Sequence, residues 1–266
     1  MRNSRPPDYG GRYRGKLAVV SGASSGLGRR MALDLAGAGA TVVAVARRSE
    51  LLEKLESELH VLSPHSSCHR CDVTDVAAWT RLLGEVERDR ERIDLLVNNA
   101  AMDPGIRLAD ITVEDFERAF AVNFFAVVAG TLAVLPKMFE HGQGTVVNVS
   151  SDGGRLPSPG PGAYPASKAA IGAFTESVSF RAARHGVHMH VVYPAWMPTE
   201  MGLSALRRGL RTPPRVMRRS EEEVSSLVLA RLGGPALDIS ASRLPAVAAL
   251  FRAVAPLTYR RLRRSW

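Results

Sequence analysis

Along the chain, short apolar runs alternate with longer stretches in which apolar positions recur every three or four residues. Lys16–Val20 (K-L-A-V-V), Thr41–Ala46 (T-V-V-A-V-A), Ile93–Val97, Thr145–Val149 and Val187–Val192 are runs of this kind. Each is too short for a helix and rich in β-branched residues, so each predicts a buried strand; a further strand is predicted near Ser67–Cys71. The 3.6-residue period predicts helices from Gly28 to about Ala38, over Glu50–Leu59, from Asp75 to about Arg88, from about Val113 to Glu140, and from Tyr164 onward. Strand then helix, repeated at this spacing, predicts an α/β fold: one doubly wound parallel sheet with helices on both faces and ligands at the carboxyl ends of its strands.

The first strand runs into S-G-A-S-S-G-L-G, Ser21 to Gly28, and then a helix. Strand, glycine loop and helix in this order suit a dinucleotide. The glycines allow a tight turn and close approach of backbone to a pyrophosphate, and the helix N-terminus offers free N–H groups. Glycines at 22, 26 and 28 are not spaced as G-x-G-x-x-G. Just past the second strand, where an acid would bond a ribose 2′-hydroxyl, stand Arg47 and Arg48. Two guanidiniums suit a 2′-phosphate, which favours NADP(H) over NAD(H); the plain alternative is a solvated basic turn.

The length of 266 residues predicts one large domain. Apolar runs look interrupted before the ~18 residues of a membrane span, and the N-terminus lacks the apolar segment of a secretion signal, so a cytoplasmic location is expected. The net charge of +9 is unevenly placed: Met1–Lys16 carries +4, Arg207–Arg219 +6 and Arg243–Trp266 +6. The body is therefore net acidic, which argues against nucleic acid as a partner. Cys68 and Cys71, with His65 and His69 beside them, resemble a metal or redox cluster, but residues three apart on a strand face opposite ways. No metal site is expected.

Gly162 to Gly172 reads G-A-Y-P-A-S-K-A-A-I-G. In a helix, Tyr164 and Lys168 lie one turn apart on one face, and Pro165 suits the first turn. A phenol is a poor acid at neutral pH, and a neighbouring ammonium would lower its pKa. Upstream, the strand V-V-N-V ends in Ser150 and Ser151, one of which would reach the same point.

Taken together, S-G-A-S-S-G-L-G, C-D-V (71 to 73), N-N-A-A (98 to 101), Asn123, Ser150-Ser151, Y-P-A-S-K (164 to 168) and Y-P-A-W-M-P-T (193 to 199) resemble the short-chain dehydrogenase/reductase family. The match covers roughly Lys16 to Gly202. The resemblance implies a Rossmann-like single domain and an NADP-preferring oxidoreductase that interconverts a carbonyl and an alcohol. It implies a catalytic tetrad of Asn123, Ser151, Tyr164 and Lys168, with Ser151 rather than Ser150 at the family spacing. Tyr164 would give the proton and Ser151 would hold the carbonyl oxygen. Lys168 would hold the cofactor ribose and lower the phenol's pKa, and Asn123 would support a water on the proton path.

The loop residues Gly22, Ser24, Ser25, Gly26, Leu27 and Gly28 are expected at the pyrophosphate and Arg47 and Arg48 at the 2′-phosphate, and the resemblance assigns the rest of the cofactor site. Asp72 and Val73 would meet the adenine, Asn99 and Ala100 the adenosine ribose region, and Pro194, Ala195, Met197 and Thr199 the carboxamide. Ala101 and Ala195 stand where the family usually has glycine, the latter narrowing the nicotinamide pocket. The family's C-terminal strand ending in D-G-G is missing, replaced by G-G-P-A-L-D-I-S (233 to 240), so a homodimer is expected and the tetramer contact lacks its motif.

Three regions are thus expected: a flexible basic leader over 1–15, the main domain over 16–242 with a substrate lid at about 200–220, and a basic amphipathic tail over 243–266. The lid arginines would attract an anionic substrate or carrier, or form a solvated loop. Val247, Leu250, Phe251 and Val254 recur at helical spacing, which suits peripheral membrane contact, a greasy substrate entrance, or packing on the body or a dimer partner. Two function classes remain: an NADPH-dependent carbonyl reductase on a lipophilic or carrier-bound substrate, and a nucleotide-binding scaffold without turnover.

Overall fold

The computed structural model describes residues 9–157, 160, 162–209 and 212–263. Seven parallel strands form one sheet in the order β3-β2-β1-β4-β5-β6-β7. They are β1 (Leu17–Ser21), β2 (Thr41–Ala46), β3 (Ser67–Arg70), β4 (Leu95–Asn98), β5 (Gly144–Val149), β6 (Val187–Tyr193) and β7 (Asp238–Ser240). The order turns back between β1 and β4, opening a crevice at their carboxyl ends, the position where such sheets bind ligands.

Both faces are covered. On one, α1 (Gly26–Gly37), α2 (Ser49–Leu62) and α9 (Glu221–Arg231) bury Met31, Leu35, Leu55, Val228 and Leu229 against β1 and β2. On the other, α3 (Val76–Arg90), α5 (Ala126–His141) and α7 (Ala163–Arg184) bury Trp79, Leu83, Val134, Met138 and Ala182. A strand enclosed on both faces needs apolar side chains at successive positions, which is why β1 reads L-A-V-V-S and is buried throughout.

The long helix is interrupted. α4 (Val113–Phe120) runs into a π-helical turn, Ala121–Phe125, before α5 begins. Val113–His141 is nonetheless one 29-residue helical stretch, long and apolar enough by length and composition to cross a membrane. That corrects the expectation that no apolar stretch reaches this length. Its inner positions Ala126, Val127, Val134, Leu135 and Met138 are buried in the domain's own core.

Two further expectations are corrected. The final strand is present, shortened to Asp238–Ser240; it pairs with Val191–Tyr193, Ile239 fills the core, and Arg155 reaches across to Ser240 and Asp238. The leader is not free up to Gly15: Tyr9 and Tyr13 meet edge to face, Tyr13 Oη donates to Leu229 O, and Arg12 donates to Leu232 O. Residues 1–8 of the leader lie outside the described residues, as do 210–211 of the lid segment and 264–266 of the tail.

The lid segment contains α8 (Glu200–Arg207), and the tail forms α10 (Leu244–Val254) and α11 (Pro256–Arg263). Cys68 packs on the α1/α2 face and Cys71, just past the end of β3, on the opposite one, so the thiols diverge. Burial pushes the Cys68 thiol up to about 12. No group of three potential metal ligands occurs among the described residues.

Candidate active site

At the head of β1, a Cβ added to Gly22 (φ +66°) would lie 2.7 Å from Ala100 Cα. At Gly28 it would lie 2.5 Å from Gly22 O, so loop and helix meet at backbone contact. Asn99 locks the arrangement: its Nδ2 donates to Ser21 O at 3.1 Å and to Gly22 O at 3.3 Å. Its amide is thus committed to holding the loop rather than turned outward. Ser21 Oγ accepts from Asn99 N and Ala100 N.

The first turn of α1 has neither a side-chain cap nor an acidic residue. Its N–H groups and positive dipole end face the crevice, which fits a pyrophosphate. Ser24, Ser25, Gly26 and Leu27 form this turn. On the far side, Thr199 caps α8 and presents its methyl to Gly26. In the loop between β6 and α8, Pro194 and Met197 are half-buried and Ala195 is buried.

The two arginines after β2 have different surroundings. Arg48 donates to Ser24 Oγ and, at 2.5 Å, to Ser25 Oγ, and pairs with Glu200 at 3.0 Å. Arg47 is more exposed and lies 3.6 Å from Asp72. Burial works to raise the Asp72 carboxyl, but hydrogen bonds from Thr74 N and Oγ1, with the Arg47 charge, outweigh it and hold the group below the usual range. Val73 beside it is buried. A cleft of about 400 Å³ opens between Ser24, Ser25, Arg29, Arg48 and Glu200.

The chemistry-bearing residues meet at the carboxyl end of β5. Ser151 starts the short helix α6 (Asp152–Arg155), accepts from Gly153 N at 3.0 Å, and hydrogen-bonds Tyr164. Ser150 turns the other way, into the core, donating to Lys168 O at 2.7 Å. The two hydroxyls left open by their spacing are thereby separated: only Ser151 faces the phenol.

Lys168 is 1% exposed, and its Nζ donates to Val149 O at 2.8 Å. Burial pulls its pKa down to about 7. Burial raises the Tyr164 phenol, against the opposing Ser151 hydrogen bond. The expected depression of the phenol by Lys168 is therefore absent here, because the amine is held on the strand carbonyl and is itself desolvated.

Asn123 lies in the π-helical turn, fully buried. Its Nδ2 donates to Met102 O (2.8 Å) and Ser167 Oγ (2.9 Å), and its Oδ1 accepts from Met102 N. Ser167 in turn donates to Tyr164 O. Asn123 is thus linked through Ser167 to Tyr164, whose phenol meets Ser151, while Lys168, one helical turn on from Tyr164, is held on the last carbonyl of β5. Three acids not assigned from the sequence also stand in the crevice: Asp152 and Asp103, the latter held by Arg208, act on the phenol, and Glu200 pairs with Arg48 on the nucleotide side. Asp152 carried a legible signal, an acid directly after the paired serines. The other two are pairings between distant segments.

The profile of the short chain dehydrogenase family matches residues 16–208. The chain belongs to the short-chain dehydrogenase/reductase family. It is 31% identical over 264 residues to the bovine (Bos taurus) "Dehydrogenase/reductase SDR family member 7B", covering 95% of this chain and 81% of that one. It is 33% identical to a fatty acyl-CoA reductase of Acinetobacter baylyi, over 71% of this chain and 64% of that one. An actinorhodin polyketide ketoreductase solved with NADPH superposes with a TM-score of 0.78 at 27% identity, over 86% and 96% of the two chains. An NAD+-bound xylitol dehydrogenase gives 0.78 at 26%, over 86% and 98%. As a member of this family the protein is a nicotinamide-dependent oxidoreductase acting on alcohol or carbonyl groups, with a Rossmann-like domain.

Proposed function

We propose that the protein is an NADPH-dependent reductase that converts a ketone or aldehyde to an alcohol, or catalyses the reverse, on a lipophilic or carrier-bound substrate. The observation that carries this reading is the convergence of Ser151, Tyr164, Lys168 and Asn123 on the end of β5, beside the open first turn of α1. The bound cofactor supplies the hydride. Ser151 and Tyr164 hold the carbonyl oxygen between two hydroxyls, and Tyr164 Oη delivers the proton. Lys168 binds the cofactor ribose and, when charged, favours the phenolate. Asn123 fixes the Met102 and Tyr164 segments and supports the water path to Lys168.

The pyrophosphate would rest on Gly22, Ser24, Ser25, Gly26, Leu27 and Gly28. Asp72, Val73 and Ala100 would line the adenosine side, with Asn99 holding the loop, and Pro194, Ala195, Met197 and Thr199 the carboxamide side. Arg48, already fixed by two hydroxyls, and Arg47 would take the 2′-phosphate. The NADPH preference rests on these two cations, since the solved relatives are divided between NADPH and NAD. The names of the acyl-CoA reductase and the polyketide ketoreductase favour a carrier-bound acyl substrate, and Arg207–Arg219 offers a cationic approach for one.

The exposed Val247, Leu250 and Val254 of α10, followed by arginines, suit peripheral contact with an anionic membrane from a cytoplasmic location. Phe125, Leu132 and Phe180 on the outer faces of the π-helical turn, α5 and α7 are exposed and suit a homodimer. NADPH oxidation with a panel of ketones and acyl thioesters, comparing wild type with Tyr164→Phe, tests the reading. The wild type turns over, and the variant loses roughly 10²–10⁴-fold in kcat. No turnover by either protein would support the scaffold instead.

A further inference from the structure

The guanidinium of Arg48 is held by partners from two separate segments. Its Nε and Nη2 donate to Ser24 Oγ at 3.2 and 3.1 Å, Nη2 donates to Ser25 Oγ at 2.5 Å, and Nη1 donates to Glu200 Oε2 at 3.0 Å. The serines precede α1, whereas Glu200 lies in the first turn of the lid helix α8, 152 residues beyond Arg48. Ser24, Ser25, Arg48 and Glu200 all line the open cleft of about 400 Å³. The side chains of Arg48 and Glu200 are 43% and 73% exposed, so a solute in the cleft reaches both.

These partners differ in what they leave for an anion. Each serine hydroxyl accepts from Arg48 and keeps its own hydrogen to donate, so it can hold a phosphate together with the guanidinium. A carboxylate only accepts, and it carries the same sign as a phosphate. The other cations lining the cleft offer no substitute for Nη1. Arg29 is paired with Glu58 at 2.6 Å, and Arg30 with Asp34 at 2.8 Å and Glu222 at 3.3 Å. α8 buries none of its residues, so the start of the lid can part from Arg48 without opening the core.

We infer that Glu200 competes with the cofactor's 2′-phosphate for Arg48: the lid acid holds the guanidinium in the free protein, and NADP(H) gains its full contact only by displacing that acid. The inference rests on the reading that Arg48 takes the 2′-phosphate. It makes Glu200 a residue that narrows the preference for NADP(H) over NAD(H), and it ties the start of the lid to the nucleotide site only while no 2′-phosphate is bound. An exposed ion pair is weak, whereas a phosphate brings nearly two charges and three acceptor oxygens, so the exchange runs toward the phosphate.

The test compares wild type, Glu200→Gln, Arg48→Leu and the double variant. NADPH and NADH affinities are read by fluorescence titration, and those of adenosine 2′,5′-bisphosphate and ADP by calorimetry. Glu200→Gln tightens NADPH and the bisphosphate roughly 3–10-fold and leaves NADH and ADP within about twofold. In the Arg48→Leu background the same substitution changes none of the four. Glu200 is exposed and Thr199 still caps α8, so the variant melts with wild type. An NADPH affinity unchanged in Glu200→Gln overturns the inference, as does a weakened one, which would make the acid a support that orients Arg48. A gain that persists without Arg48 overturns it too, because the acid would then act on the phosphate through space, and so does a gain shared equally by NADH and ADP. Equal losses of NADPH and NADH in Arg48→Leu instead remove the parent assignment of the 2′-phosphate, and the inference with it.

Discussion

The nucleotide side and the substrate side of the crevice are held together in different ways. Around β1 and β4 the contacts are backbone to backbone, and the polar groups are paired: Asn99 spans the carbonyls of Ser21 and Gly22, and Ser21 Oγ takes two N–H groups. Beyond β5 the Asn123, Ser150 and Lys168 groups are paired, but pairing is incomplete. Both Asp152 oxygens and Trp196 Nε1 are buried without partners, while Leu203, Val216, Val247 and Leu250 are exposed. One side is preformed for a single ligand. The other keeps unmet polar and apolar groups, which is where substrate choice can be written without disturbing the fold.

The sharpest way to break this comparison is to add one carbon to each side. A Cβ on Gly28 would lie 2.3 Å from Asn99 Nδ2 and 2.5 Å from Gly22 O, whereas one on Gly153 meets nothing closer than 3.4 Å. Gly28→Ala must push Asn99 off the loop. A loss of about 1–3 kcal/mol in stability and a cofactor affinity too weak to titrate are expected. Gly153→Ala leaves cofactor affinity within about twofold and melting within ~0.5 kcal/mol. Thermal melts and fluorescence titration of both variants check this, and equal losses would mean the two sides are built alike.

A smaller effect separates cofactor choice from cofactor binding. Arg48→Asp removes the cation that Ser24 and Ser25 orient, and Arg47→Asp removes its exposed neighbour. NADPH affinity falls about 10–100-fold in each, by analogy with charge-assisted pairs worth ~1.5–3 kcal/mol. Arg48→Asp has the larger effect because that guanidinium is better held. NADH affinity changes little. Equal losses for the two cofactors would remove the 2′-phosphate from the arginines.

The nucleotide side was legible in the sequence because its determinants are local. Apolar runs mark β1, β2 and β4, and Gly22, Gly26 and Gly28 mark the loop. The substrate side was less so, for physical reasons that differ by element. β7 is only D-I-S, too short for any period, and exists because β6 offers an edge and Arg155 anchors it. The π-helical turn adds one residue inside a helix whose apolar pattern continues across it. The docking of Tyr13 on Leu229 joins positions 216 residues apart. α9, by contrast, carries a plain local signal: Ser220 and Glu223 form a reciprocal capping box.

The last expected effect concerns stability alone and returns to Asp152. Its carboxyl has an ordinary value of 3.8 in the unfolded chain, and burial pushes it to about 7 in the fold, with Arg155 opposing. Folding therefore takes up a proton between these values. Above pH 7 the group is charged in both states, and the fold carries the whole cost of an unpaired buried charge. As the pH falls from 7 toward 4 that cost is relieved, and below 3.8 none remains. Asp152→Asn, which is neutral throughout, should thus raise the melting temperature at pH 8 by several degrees, with an upper bound on the order of 4 kcal/mol, and raise it by much less at pH 4.5. Arg155, Tyr164 and Asp103 are unchanged by the substitution, so the difference between the two pH values reports the one carboxyl. If Asp152 were instead paired with Arg155 in solution, the sign would reverse. The variant would then melt lower at pH 8, and the substrate side would be as fully paired as the nucleotide side.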